Sequence, residues 1–363
     1  MMLKLRRGTV VAVDPLTVSV EGEERRAWAD GGMVGEVAAG DEVIVNTEAQ
    51  DMGLGSGGFD VVHVNLSRGL AAPGAAEKHV IKLNYTSLQH PVEPVEVPVP
   101  AEGGAREDAP EPLTLPSLVI PVHGHLAPAA WAAALARPGL RVGFVQGGGG
   151  ALPGGLSRDV PELRERGLLA GHVTAAPAYG GELEAISIPG ALDAAARRLG
   201  WEAAIVGPGP GILGSTSRFG HGGMAALDAA HAALALGLPT LLSPRLSSSD
   251  PRPRHRGLSH HSAAVLELLL GAVRVPVPEA ELEGWPLLDV EAPEGGSAQA
   301  ALDDLIEICR GRHDIAVERI DLDGYTATDL PSRTMGRSID QDPLFFAAPL
   351  AAGGALAAAA EGG

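Results

Sequence analysis

The stretch Ala203-Ala-Ile-Val-Gly-Pro-Gly-Pro-Gly-Ile-Leu-Gly-Ser-Thr-Ser-Arg-Phe-Gly-His-Gly-Gly223 decides the fold class. It opens on four apolar residues without polar alternation, the pattern of a strand covered on both faces. A glycine-rich connection follows, and then the alanine-rich segment 223–236 with helical periodicity. Strand, glycine loop and helix in that order make one unit of a parallel α/β sheet.

Working outward, the same unit recurs. Short apolar runs at 118–122, 141–145, 172–175, 203–206, 240–243, 273–277 and 314–317 alternate with helix-period segments at 129–136, 160–168, 191–199, 223–236, 259–270 and 298–310. The alternation predicts an α/β domain over residues 117–345, a doubly wound, mostly parallel sheet of six or seven strands. An eight-unit barrel is the alternative and is at least one βα unit short. Residues 346–363 are Ala/Gly-rich and read as a low-complexity tail, frayed or packed on a neighbour. Upstream, 91–116 carries seven prolines and six acids against one arginine, which predicts a stiff, extended linker. Residues 1–90 hold Val-rich runs at 9–13, 16–20, 42–47, 59–65 and 80–85 between turn residues, and only 71–78 suits a helix. They predict a small all-β barrel or sandwich domain.

Composition excludes several functions. The net charge over 363 residues is −18, which repels nucleic acid and anionic membrane, and aromatics at 3% leave little for base stacking. The only lysines are Lys4, Lys78 and Lys82, so no Schiff base, lysine base or P-loop lysine follows Lys82. One cysteine, Cys309, excludes an intramolecular disulfide and any multi-cysteine metal site. No signal-peptide pattern or convincing membrane span is read, and the expectation is a cytoplasmic protein.

In such a sheet ligands bind beyond the carboxyl ends of the strands, and most of the unusual residues follow a strand. The loop 207–223 holds seven glycines in seventeen residues. Gly207, Gly209, Gly211 and Gly214 could turn backbone N–H groups inward on an anion, with Ser215 and Thr216 adding hydroxyls and Arg218 a charge. The alternative is a connection that needs glycine only for tight turns. Gly209-x-Gly211-x-x-Gly214 formally fits a dinucleotide fingerprint, but Pro208 and Pro210 and the lack of a following acid leave NAD binding unsupported. In Asp250-Pro-Arg-Pro-Arg-His-Arg256 the prolines present Arg252, Arg254 and Arg256 from a stiff strip. Extended geometry would align the three and a polyproline twist would splay them. These arginines and His255 could clamp an anion, or pair with the chain's own acids.

Ser259 predicts a helix N-cap, which places His260 and His261 in the first turn, where positive charge is disfavoured. Both are then neutral and suit general bases or metal ligands, with His260 the catalytic candidate and His261 divided between the ligand and packing. His221, among glycines, is a further acid–base candidate. His123 and His125, two apart at a strand end, would share a face. His123 is a proton-transfer candidate, and the pair could grip a metal although no third ligand is evident. His231 and Cys309 read as packing residues. No Gly-x-Ser-x-Gly elbow exists to support a hydrolase triad.

Three phrases resemble those of a bacterial domain-of-unknown-function family. They are Gly207-Pro-Gly-Pro-Gly-Ile-Leu-Gly-Ser-Thr-Ser-Arg-Phe-Gly220, Asp250-Pro-Arg-Pro-Arg-His-Arg-Gly-Leu-Ser-His-His261 and Thr334-Met-Gly-Arg337. The resemblance covers nearly the whole chain and implies a shared fold and a bacterial cytoplasmic setting, with no activity, substrate or catalytic residue attached. The residues themselves lead to an enzyme or enzyme-like protein that binds a small anionic ligand, phosphorylated or nucleotide-like, with no nucleic-acid or membrane partner. One alternative is a non-catalytic metabolite sensor or scaffold whose β domain docks a partner. Another is a metal-dependent hydrolase working through His123 and His125. No cofactor is specified, and a homo-oligomer is left open.

Overall fold

A computed structural model of the chain describes residues 2–53, 57–70, 78–96, 112–279 and 298–362. The chain divides into two units, Met1–Glu93 and Pro94–Gly363.

In the first unit the strands are β1 (Leu5–Val13), β2 (Leu16–Val20), β3 (Glu23–Trp28), β4 (Glu42–Asn46) and β5 (Asp60–Asn65), with one-turn helices α1 (Gly31–Val34) and α2 (Glu48–Asp51) between them. They close into a barrel in the order β1-β2-β3-β5-β4. The β3–β5 pair is parallel and the others antiparallel, which is the order of an OB-type barrel. Val10, Val18, Val20, Val43, Val45 and Val62 fill it. The charged strand β3 was not expected. Arg25 pairs with Asp51 at 2.7 Å and with buried Asp60 at 2.6 Å, so ion pairs stand where apolar alternation would otherwise mark a strand. The run 80–85 is not a barrel strand. β6 (Val80–Lys82) pairs instead with β7 (His90–Val92), and the positive φ angles of Leu83 and Tyr85 end it.

Residues 71–77 of the expected helix and 97–111 of the expected linker lie outside the described residues. The start of that linker is held rather than extended. Pro94 bridges to Glu184, and Glu96 Oε1 accepts from the N–H groups of Ile186 and Ser187 at 2.6 and 3.1 Å.

The second unit runs β8 (Ser117–Val119), α3 (Leu126–Ala136), β9 (Val142–Gly147), α4 (Asp159–Glu165), β10 (Gly171–Ala175), β11 (Leu183–Ala185), α5 (Ile188–Arg197), β12 (Ala203–Pro208), α6 (Ala225–Ala235) and β13 (Thr240–Leu242). A two-residue pair follows, β14 (Leu246–Ser247) with β15 (Gly257–Leu258), then α7 (His260–Leu268), β16 (Arg274–Pro278), α8 (Ala298–Cys309), β17 (Asp314–Glu318) and α9 (Leu322–Thr326). The hairpin β18 (Arg333–Thr334) and β19 (Arg337–Ser338) leads into α10 (Pro343–Glu361). The main sheet is parallel throughout, ordered β11-β10-β9-β12-β8-β13-β16-β17. Its eight strands exceed the expected six or seven by the edge strand β11, whose three residues carry no β-branched signal.

Alternate strand residues serve opposite faces. Leu118, Phe144 and Ile205 pack with α3, α4 and α10, whereas Val119, Val145 and Val206 pack with α5, α6, α7 and α8. The helix after β8 therefore lies on one face, and those after its two neighbours, β12 and β13, lie on the other. Strand connections part company in this way above β8, and a crevice at that carboxyl edge is where ligands enter such sheets.

The Ala/Gly-rich tail is corrected to a core helix. α10 is buried almost continuously from Pro343 to Ala357. Its small residues let it approach α3 closely, since a Cβ added at Gly353 would lie 2.2 Å from the Ala129 carbonyl oxygen. By length and composition α10 could cross a membrane, yet 78% of its apolar window is buried inside the fold.

Candidate functional site

Four connections meet at this carboxyl edge: 120–125 after β8, 148–158 after β9, 209–224 after β12 and 243–259 after β13. The first contradicts the expected histidine pair. His123-Gly-His125 is a turn of 3-10 helix rather than a strand end, and at three residues per turn positions i and i+2 point apart. Buried His123 sits 3.1 Å from the Pro208 carbonyl through Nδ1 and 2.8 Å from Ser157 Oγ through Nε2, with Asp159 at 3.7 Å. The carbonyl can only accept, so Nδ1 carries the proton and Ser157 donates to Nε2. His125 instead reaches Ser243 Oγ at 3.0 Å and packs edge-on against Phe345. The two rings serve different partners and do not form a metal grip. Burial lowers the pKa of both, that of His125 to about 3.

In the glycine-rich connection the residues divide by role. Gly207 and Gly209 are steric necessities. An added Cβ would lie 2.3 Å from Ile120 Cγ1 at the first, and 2.3 Å from the Ala151 carbonyl oxygen at the second. Gly211 needs its positive φ of 70°, and around Gly214 there is open space. From Gly214 to Gly220 the loop is exposed, and much of it satisfies itself. Ser215 Oγ donates to the Gly220 carbonyl at 2.5 Å and accepts from Ser217 N–H, while Arg218 pairs with Glu267. Thr216 lies exposed on the same turn. The polar groups expected to cradle an anion there are largely engaged.

The arginine strip is neither extended nor polyproline. Pro253–His255 is a 3-10 turn that buries His255 and separates the guanidiniums. Arg252 closes on buried Asp250 with bonds of 2.9 and 2.8 Å, Arg256 Nε lies 3.4 Å from the Asp250 carbonyl oxygen, and Arg254 projects exposed without an ion pair among the described residues. Asp250 also faces Arg337 at 3.4 Å and Arg245 at 3.6 Å. A second buried carboxylate, Asp342, accepts from Ser247 Oγ, Ser248 N–H and Arg337 Nε at 2.6, 2.8 and 3.0 Å. Three guanidiniums thus share two carboxylates. Burial would raise the pKa of Asp250, but the hydrogen bonds from Arg252 and the neighbouring cations hold it well below the usual range. Arg245 is the most buried of the three guanidiniums. It is 1% exposed, its Nε has no partner among the described residues, and burial pushes its pKa down to about 10, so it stays cationic at neutral pH.

Beside this network four imidazoles pack together. Ser259 caps α7, its Oγ accepting from His261 N–H and lying 2.8 Å from His255 Nδ1. His260 and His261 project from the first turn, and His221 arrives from the end of the glycine loop to stack on His261, ring centres 3.8 Å apart and planes within 9°. His260 lies 5.1 Å from His221 and 4.4 Å from His261 by ring centres. Burial comes first among the causes that lower all four pKa values, with Arg245 adding to each, and His255 falls to about 3 and His261 to about 2. A positively charged neighbourhood therefore contains neutral imidazoles, all able to offer a lone pair at neutral pH.

A family model described as protein of unknown function (DUF3866) matches residues 26–353. The chain belongs to that family. The DUF3866 match spans β3 to α10 and takes in every residue of the network and of the histidine cluster. No curated protein and no solved structure matches the chain.

The DUF3866 chain brings together His221, His255, His260 and His261 with Arg252 and Arg254, and sets His123 apart against Ser157. Sequence reasoning named neither Arg245, Arg337 nor Asp342 as a site residue. Arg337 stands in the third of the phrases quoted above. It follows the two-residue turn Met335-Gly336, with φ of 45° and 86°, which returns β18 to β19.

Proposed function

We propose that the second unit binds a small anion, phosphorylated or nucleotide-like, at the carboxyl edge of β12, β8 and β13. One observation carries this reading: the buried guanidinium of Arg245, short of a partner at Nε, in a network with one more arginine than carboxylate. A buried cation without full compensation is costly, and an anionic group would supply both the charge and the acceptor. Arg254, exposed and not ion-paired among the described residues, is the reach of the site toward solvent. The chain's net charge of −18 favours an anion small enough to enter a crevice over a polyanion lying along the surface. The setting we propose is the cytoplasm of a bacterium, on the resemblance of the three phrases.

Thermal unfolding of the full chain at low salt, with sulfate, inorganic phosphate, sugar phosphates and nucleotides in turn, tests the reading. At roughly one hundred times its Kd an anion that binds only the folded state adds about 2.7 kcal/mol, a rise of about 5–10 °C. Arg254→Ala should remove most of the rise without lowering the unligated midpoint. If none of these anions moves the midpoint, the proposal is wrong.

A further inference from the structure

We infer that His221, His260 and His261 form a binding site for a divalent transition metal, zinc above all. Each of the three rings has one buried nitrogen with no hydrogen-bond partner among the described residues: His221 Nδ1, His260 Nε2 and His261 Nδ1. One ligand atom from each ring lies within 4.8 Å of those of the other two. His221 and His261 are only 7% and 2% exposed, so water is a poor substitute for the missing partners. The tautomer of His221 is the one a metal ligand needs, and because its ring is stacked on that of His261, one of the two rings turns when both Nδ1 lone pairs meet a single ion. His221 Nε2 lies 3.0 Å from the Arg218 carbonyl oxygen, which fixes the proton on Nε2 and leaves the lone pair on the unpartnered Nδ1.

A glycine keeps this space open. A Cβ on Gly223 would stand 2.9 Å from His261 Nδ1 and 3.0 Å from His221 Nδ1, in the small volume that both nitrogens border. Three imidazoles without a carboxylate or thiolate select a borderline cation such as zinc, cobalt or nickel and exclude magnesium and calcium, which require oxygen ligands. Three protein ligands also leave a fourth position to water or to an anion. With Arg245 and Arg254 nearby, a negatively charged fourth ligand is favoured, because it offsets the repulsion between those cations and the metal.

The test uses the full chain stripped of metal with a chelator and dialysed. Zinc is then titrated in competition with a chromophoric chelator, and cobalt is followed by its visible absorption. The expected result is one equivalent bound, with cobalt bands of tetrahedral intensity. His221→Ala, His260→Ala and His261→Ala should each weaken zinc binding by roughly 100-fold or more, beyond what is typical for removing a residue that only orients a ligand. Gly223→Ala, which keeps all three rings, should weaken it as well, with far-UV circular dichroism and the thermal midpoint confirming that each variant is folded. Arg254→Ala, which tests the anion proposal, should still bind zinc, so the two readings fail separately. Absence of stoichiometric zinc or cobalt binding, or binding unchanged in both His260→Ala and Gly223→Ala, overturns the assignment.

Discussion

Between pH 7.5 and pH 5 the second unit is expected to lose about 4 kcal/mol of stability through His125 and His172 alone. His125 is fully buried against Phe345 and Ser243, with a pKa lowered to about 3, chiefly by burial and then by Arg245. His172 lies flat against Phe144, its Nε2 3.1 Å from Gln146 Oε1, with a pKa lowered to about 4, again chiefly by burial. Both rings stay neutral while folded and take up a proton near pH 6.5 once the chain unfolds, so throughout the interval the unfolded state binds more protons. The stability is complete above about pH 6.5 and declines as the pH falls toward the folded values. At pH 5 each ring accounts for about 2 kcal/mol. Urea unfolding followed by helical circular dichroism, with chelator present, measures the fall. His172→Gln should shrink it by about 2 kcal/mol, and an unfolding free energy that is flat across this range would sink the prediction.

The second large effect concerns α10. Ending the chain before Pro343 removes Leu344, Phe345, Phe346, Leu350 and Leu356, all essentially buried. At about 2 kcal/mol for each large apolar side chain the loss approaches 10 kcal/mol, comparable with the whole stability of an ordinary domain. The truncated chain should show neither cooperative unfolding nor dispersed amide resonances from the second unit. A milder version is Gly353→Val. The added side chain would meet the Ala129 carbonyl, backbone that cannot swing aside, and α10 would be forced off α3 at a cost of about 3 kcal/mol. Cooperative, native-like unfolding of the truncated chain would refute the core role of this helix.

That helix also shows where the sequence is hard to read. Alanine and glycine in residues 346–363 carry little hydrophobic contrast around the helix, and they read as low complexity. In the fold those small side chains permit the close α3 contact. The α/β alternation was legible because strands buried on both faces become continuous apolar runs, as in 203–206 and 142–145. Strand β3 escaped because Arg25 with Asp51 and Asp60 replaces an apolar pattern, and β11 because three residues make no period. In the site the histidine phrase was conspicuous and the Ser259 cap followed from local rules. The distant members of the ion network did not, because Arg337 and Asp342 meet Asp250 and Ser248 only through tertiary structure. The prolines around Arg252 suggested an extended strip, whereas the buried carboxylate of Asp250 draws that arginine inward and folds the strip into a turn.

The ion network has a consequence for synthesis. Arg337 lies 87 positions beyond Asp250, and Asp342 lies 94 positions beyond Ser248. A ribosome that has just released the arginine and histidine phrase still has α8, β17, α9 and the hairpin to make before either partner emerges. During that interval the nascent chain exposes several cations and imidazoles that are not yet buried or balanced. The ion network becomes complete only after translation has passed residue 342, so a stalled or prematurely ended product carries the most conspicuous phrase of the sequence without Arg337 and Asp342.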